Sequence, residues 1–242
     1  MAGVIGVDVG GTFTDFFAVD PASGEQALFK RPSTPDDPGR AILDGLREME
    51  AATGVVLAEA ERIAHGTTVA TNMILEGKGA EAGLITTAGF RHVLEIGRQE
   101  IPRRVNLFSW VKPKRPVPAD RIFEAAERVA VDGTVIVPLD EESVRAAARA
   151  LRDRGVQAIA VCYLYSFANP AHEQRTAELI AEEYPEALVS ISSDVLPLVR
   201  EYERSMATVL NVYVMPAVSR YVARLEERLA EEQVKAPLLI IK

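Results

Sequence analysis

The sequence predicts an α/β protein built on a mixed sheet, and three observations carry that expectation. Val4–Val9, Asp15–Val19 and Gln26–Arg31 are short apolar runs joined by "GGTFT" and "DPASGE", connections too short for a helix, so they predict a strand meander. Downstream, helical spacing alternates with buried apolar runs, the pattern of strands connected by helices. The 242 residues are 48% hydrophobic, enough to bury a sizeable core in one large domain or one and a half smaller ones.

Each element has its own signal. In "STPDDPGRAILDGLREMEAATG", Ile42, Leu43, Leu46 and Met49 share a helical face and Thr53-Gly54 closes it. "ERIAHGTT" predicts a strand running into a helix, "VATNMILEGKGA" that helix, and "EAGLITT" the next strand. Residues 88–138 lose periodicity in a proline-rich, basic stretch and predict an irregular insertion. "DEESVRAAARALRDRGV", "QAIAVCYLY", "NPAHEQRTAELIAEEYP" and "EALVSIS" restore the alternation as helix, strand, helix and strand. The segment from Arg200 reads as a long helix broken at Pro216 and followed by a strand, "APLLIIK". The expected division is a domain over 1–198 and a segment over 199–242 that links to, and starts, a second.

Composition narrows the function. Acidic residues outnumber basic ones, 35 to 27, for a net charge of −8, which argues against nucleic acid as a partner. The single cysteine, Cys162, sits in an apolar run with no second sulfur, which fits a reducing, cytoplasmic setting. No run reaches the roughly 20 apolar residues of a membrane span.

The first candidate site is "DVGGTFTD". Adjacent glycines let a backbone approach a ligand closely, so Gly10, Gly11, Thr12, Phe13 and Thr14 are candidate phosphate binders, with Thr12 and Thr14 adding hydroxyls. Asp8, on the strand before them, is placed to hold Mg²⁺ through water. An ordinary glycine hairpin accounts for the pair of glycines alone but not for the flanking acid and hydroxyls. The dinucleotide pattern is excluded because a strand, not a helix, follows the turn.

The second is "HGTT". His65, Thr67 and Thr68 fall at a strand-to-helix junction able to receive an anion or an activated carbonyl oxygen, or simply to cap the helix. Asn72 lies one turn beyond Thr68 on the same face. Glu95, Arg98 and Gln99 in "LEIGRQ" add charge near a glycine, and Arg98 is the candidate substrate contact among them. His92 and His172 are expected at the surface, since neither has a zinc-ligand spacing. Arg200, Glu201, Glu203 and Arg204 read as a solvated charged turn, and no G-x-S-x-G elbow is present.

"GVDVGGTFTDF" resembles the phosphate-1 loop of the actin, sugar-kinase and Hsp70 ATPase fold. Its "GGTFTD" form is similar to the hydantoinase A, 5-oxoprolinase and acetone carboxylase beta-subunit family. "HGTTVATNMILEGKGA", "GFRHVLEIGRQ", "AIAVCYLYSFANPAHE" and "REYERSMATVLNVYVMP" follow in family order. The chain departs from the expected pattern at His92, at Tyr165 and in "SMAT", which bears on substrate identity more than on fold.

The resemblance implies a ribonuclease-H-like actin/hexokinase-type ATPase domain. With it come ATP and Mg²⁺, a cyclic amide or ketone substrate activated by phosphorylation, and a hydantoinase B-type partner subunit or domain. It also implies an N-terminal portion of a longer enzyme. A nucleotide-dependent switch without turnover is the alternative.

Overall fold

The computed structural model describes residues 3–34, 37–98, 106, 108–111 and 115–241. It divides into two compact units, Met1–Met73 with Val218–Lys242 and Ile74–Ala217. The first unit holds strands β1 (Val4–Val9), β2 (Phe13–Val19) and β3 (Gln26–Pro32), then helix α1 (Pro38–Thr53) and strand β4 (Arg62–Thr67). Helix α2 (Val69–Glu76) begins in the first unit and ends in the second.

The second unit continues with β5 (Ala82–Thr87), α3 (Val93–Ile96), β6 (Ile122–Ala125), β7 (Arg128–Val129) and β8 (Val135–Val137). It is completed by α4 (Glu141–Asp153), β9 (Ala158–Cys162), α5 (Ala171–Glu183), β10 (Leu188–Ile191) and α6 (Ser192–Val195). Helix α7 (Glu201–Glu231) runs through Pro216 back to the first unit, which β11 (Leu238–Ile241) ends.

In the first unit five strands lie in the order β11-β4-β1-β2-β3, antiparallel among β1, β2 and β3 and parallel among β1, β4 and β11. Strand alternation puts Ile5, Val7, Val9, Phe16, Ala18 and Ile63 on one face, where Ile42, Leu46 and Met49 of α1 and Leu225 and Leu229 of α7 cover them. The start of α1 is fixed by Asp37, whose Oδ1 accepts the Arg40 N–H at 3.3 Å, with Pro38 at the first turn. Its end is fixed by Gly54, in the left-handed region at φ 74°, whose N–H reaches the Glu50 carbonyl at 3.1 Å. Arg228 of α7 grips the same Asp37 through both carboxylate oxygens, at 3.1 and 2.9 Å, and holds that carboxyl below its ordinary pKa.

The second unit has a four-stranded parallel sheet, β10-β9-β5-β6. Both faces are covered, as parallel sheets require, by Val144, Ala148 and Leu151 of α4 with Leu179 and Ile180 of α5 on one side, and by Val209 and Val212 of α7 on the other. Cys162 is buried in this core, which pushes its thiol pKa up, so it packs as a small hydrophobe.

Four expectations are corrected. Residues 88–138 are not simply an irregular insertion: β6 pairs with β5 inside the second sheet, and β7 and β8 form a hairpin. A four-residue edge strand is too short to show a period. "APLLIIK" does not start a new sheet, because β11 pairs with β4 in the first one. The compact units accordingly do not divide at residue 198. Pro216 does not break its helix, since one missing N–H costs one hydrogen bond while the residues on either side are anchored in cores, Val212 in one and Leu225 in the other.

Gly45 on α1 lies directly over Phe16: a Cβ there would fall 2.1 Å from its Cζ. Gly45→Val is therefore expected to cost about 1–3 kcal/mol through overpacking and to lower the melting temperature. Thermal unfolding measures this, and a melting temperature equal to that of the parent would contradict the close approach.

Candidate functional site

The turn between β1 and β2 is tight. Val9 pairs with Thr14, and the Gly10 N–H donates to the Phe13 carbonyl at 3.0 Å, which leaves Gly11 and Thr12 at the tip. Among the described residues neither the Gly11 nor the Thr12 N–H has a hydrogen-bond partner. Two exposed, unspent N–H groups on an unscreened backbone are what an anion needs. Neither glycine is in the left-handed region, so a positive φ is not the reason for them. A Cβ on Gly10 would crowd the Phe13 carbonyl at 3.1 Å, while Gly11 has open space around it.

Ser33, which the sequence reading missed, braces this turn. Its N–H donates to the Thr12 carbonyl at 2.9 Å, its hydroxyl to the Gly10 carbonyl at 2.8 Å, and it accepts from the Thr14 hydroxyl at 3.0 Å. Thr14 is fully buried, so its hydroxyl serves the brace and does not face a ligand. Phe13 is exposed, with Lys30 Nζ 5.0 Å from its ring centroid.

Asp8 lies on the opposite face of β1 from the core, directly across from Asp15 on β2 and Gly66 on β4. Like charges on facing strand positions repel, and Lys30 offsets only one of them through an exposed 2.9 Å pair with Asp15. Asp8 has no ion-pair partner among the described residues. Gly66 makes room for it, since a Cβ at Gly66 would sit 3.2 Å from an Asp8 carboxylate oxygen. These residues line a mainly apolar cavity of about 580 Å³ on the open face of the sheet, with Phe17, Leu28 and Ile241 among its walls. An exposed carboxylate with a second one opposite it, on the strand pair that the turn joins, is a donor set that fits a water-coordinated Mg²⁺.

The "HGTT" residues separate. His65 is completely buried on the core face of β4, with Nδ1–H donating to the Val7 carbonyl at 3.4 Å and Nε2 accepting from the Tyr221 hydroxyl at 2.7 Å. Strand alternation, which sends residues 65 and 66 to opposite faces, turns its ring away from the cavity that Gly66 lines. Burial lowers the His65 pKa, with the Val7 hydrogen bond and the Asp8 charge opposing, and raises that of Tyr221 to about 12. Thr67 acts as a cap, its hydroxyl accepting the Val69 N–H at 3.2 Å. Thr68 and Asn72 stand together at the surface, with the Asn72 amide 3.3 Å from the Thr68 hydroxyl.

Arg98 belongs to the second unit and is ion-paired with Glu203 of α7, its Nε 2.6 Å from the carboxylate. Gln99 lies outside the described residues. His172 is not a loose surface group: its Nδ1 is 2.8 Å from the buried Glu127, which also accepts from Thr87. Arg204 is not solvated either. It is buried and donates to the Tyr163 carbonyl at 2.7 Å and to Ser192, which in turn donates to the buried Glu173 at 2.6 Å.

The hydantoinase/oxoprolinase N-terminal region family model matches residues 4–184, and the chain belongs to that family. It is 36% identical over 239 residues to caprolactamase subunit alpha of Pseudomonas jessenii, covering 96% of this chain and 34% of that protein. It is likewise 36% identical over 253 residues to the acetophenone carboxylase gamma subunit of Aromatoleum aromaticum, covering 98% and 34%. The crystal structure of ATP-dependent caprolactamase from Pseudomonas jessenii superposes with a TM-score of 0.88 at 34% identity, over 98% of this chain and 35% of that one. The chain thus spans about a third of the length of these relatives. None of its described helices is long and apolar enough to cross a membrane.

Because the folded state disfavours a protonated His65, the unfolded chain binds its proton first as pH falls. Its contribution to stability is complete above the ordinary histidine pKa of about 6.5 and is lost below it. Melting temperatures between pH 7.5 and 5.5 are expected to decline, and His65→Gln to flatten that decline; an equal slope in the variant would contradict the buried neutral imidazole.

Proposed function

We propose that this chain is the phosphate-binding part of an ATP-dependent enzyme that activates a cyclic amide before ring opening, on a ribonuclease-H-like actin/hexokinase-type domain. The observation that carries the reading is the pairing of Asp8 and Asp15 across the strand pair that ends in the free Gly11 and Thr12 N–H groups. Those N–H groups would receive terminal phosphate oxygens of ATP, with Gly10, Gly11 and Thr12 forming the cradle and Phe13 flanking it. Asp8, with Asp15 opposite, would hold Mg²⁺ through water. Bound there, Mg²⁺ supplies neutralisation of the charge that develops on the phosphates.

The chemistry is an in-line transfer. The amide carbonyl oxygen attacks the γ-phosphorus, the bond to the bridging β,γ-oxygen breaks, and ADP leaves with that electron pair. Water then adds to the activated carbon, and the ring C–N bond opens as the nitrogen leaves with that electron pair and takes up a proton. A second water cleaves the resulting acyl phosphate to a carboxylate and inorganic phosphate. Backbone N–H groups lower this barrier by being fixed before charge appears. His65, buried against Val7 and Tyr221, would act as a positioning residue for β4 beneath Asp8, while Thr68 and Asn72 present polar groups at the surface. In the second unit Arg98, held by Glu203, is the proposed substrate contact.

The names of the relatives favour an amide or a ketone: one is a caprolactamase and another an acetophenone carboxylase. With a ketone, the same phosphorylation of the carbonyl oxygen would precede carboxylation. Both relatives are called subunits, which favours a partner, here a hydantoinase B-type subunit or domain.

Titration calorimetry with Mg-ATP tests the site in this chain. The expected Kd is millimolar, about −4 kcal/mol, the scale of phosphate and metal contacts alone. Asp8→Ala should weaken it about tenfold or more while leaving the unfolding free energy within about 0.5 kcal/mol of the parent, as an exposed side chain allows. Unchanged affinity in Asp8→Ala would remove the metal assignment, and micromolar affinity in the parent would show a complete nucleotide site in this chain. Gly11→Val, which strains no left-handed backbone here, should act on affinity alone by screening the N–H groups; equal affinity would count against the cradle.

A further inference from the structure

The open face of the first sheet carries one charged group that the metal assignment leaves unused. Register places Gly66, Asp8, Asp15 and Lys30 side by side across β4, β1, β2 and β3, and all four line the cavity of about 580 Å³. Among the described residues that line it, Lys30 alone is basic. Arg31, next in the chain, alternates to the other face, where Asp44 and Glu48 of α1 each lie 3.4 Å from it. The Lys30 ammonium has two neighbours on β2: the Asp15 carboxylate at 2.9 Å and the Phe13 ring, whose centroid is 5.0 Å away. Phe13 directly follows the free Gly11 and Thr12 N–H groups, so the cation stands beside the proposed phosphate cradle.

From this placement we infer that Lys30 is the cationic ligand of the terminal phosphates, exchanging Asp15 for a phosphate oxygen when Mg-ATP occupies the turn. The assignment rests on the phosphate reading of that turn. A triphosphate arriving there meets Asp8 and Asp15 as like charges, and a cation on the same face offsets that repulsion. The exchange is cheap. Both partners of the Lys30–Asp15 pair are more than half exposed, at 56% and 55%, and water screens such a pair to little net worth. The ammonium–phosphate hydrogen bond that replaces it is charge-assisted, and a lysine stem presents three donors that rotate to a new partner. Asp15, once released, turns its carboxylate to the metal's waters beside Asp8.

Titration calorimetry of the parent chain, Lys30→Met and Lys30→Arg with Mg-ATP and with Mg-tripolyphosphate tests this, with melting temperatures as the control for folding. Lys30→Met is expected to weaken both ligands about tenfold, the scale of one charge-assisted hydrogen bond, and Lys30→Arg to regain most of that loss. Equal losses place the contact on phosphate rather than on the base. Mg²⁺ alone, followed at the Gly66 amide by NMR, should bind Lys30→Met no more weakly than the parent, because removing a cation leaves two carboxylates no less attractive to a metal. Undiminished Mg-ATP affinity in Lys30→Met, a loss confined to ATP, no recovery in Lys30→Arg, or a parallel loss of Mg²⁺ affinity would each overturn it. The last would mean that Lys30 acts only by holding Asp15. Mg-ATP binding that Asp8→Ala weakens and Lys30→Met does not sinks the lysine's role alone, whereas a parent without Mg-ATP binding sinks the reading of the turn as well.

Discussion

The central position of β1 is the constraint on which the first unit depends. It pairs antiparallel with β2 and parallel with β4, and the two registers meet at Asp8, which faces Asp15 on one side and Gly66 on the other. Strand periodicity makes this all-or-none: a slip of one residue would carry Ile5, Val7 and Val9 out of the core and Asp8 into it. The apolar residues of β1 and the candidate site are therefore fixed by the same pairing. The Ser33 hydrogen bonds tie β3 into that arrangement by closing the turn from the third strand.

The second unit depends on a different kind of interaction. Glu173 and Arg204 are both buried, and neither is left to water: Glu173 accepts from the Tyr163 N–H at 2.8 Å, the Ser193 N–H at 2.9 Å and the Ser192 hydroxyl, while Arg204 donates to Ser192 and the Tyr163 carbonyl. Charges removed from water are tolerated only when hydrogen-bonded in this way. The network joins the ends of β9 and β10 to α5 and α7, neighbouring elements of the chain that it locks together at one end of the sheet. It explains why "AIAVCYLYSFANPAHE" and "REYERSM" carry polar residues beside apolar ones.

Much of the candidate site was legible because its chemistry is local. "DVGGTFTD" carries its turn and its flanking acids within eight residues, but the facing of Asp8 and Asp15 follows from β2 starting at Phe13, two residues earlier than the apolar run suggests. Thr14 was misjudged for the reason that Ser33 was missed: which hydroxyl faces a ligand and which faces a brace is decided by a residue 19 positions away, just past the end of β3. His65 shows the same limit. Its place on β4 was readable, but its face follows from pairing with β1, and its partner Tyr221 is 156 residues distant.

By itself the sequence determined the local elements: the meander, the helix that Thr53-Gly54 closes, the α/β alternation and the glycine turn, since each rests on periodicity, turn chemistry or capping over a few residues. Only the tertiary structure decided that β11 returns to pair with β4, that β6 is a sheet strand, that α7 persists through Pro216, and that Arg204 and His172 are held by buried partners. These are long-range matters. A short edge strand has too few residues to display a period, and the free energy that fixes a proline-containing helix or a buried charge comes from neighbours that the local sequence does not contain.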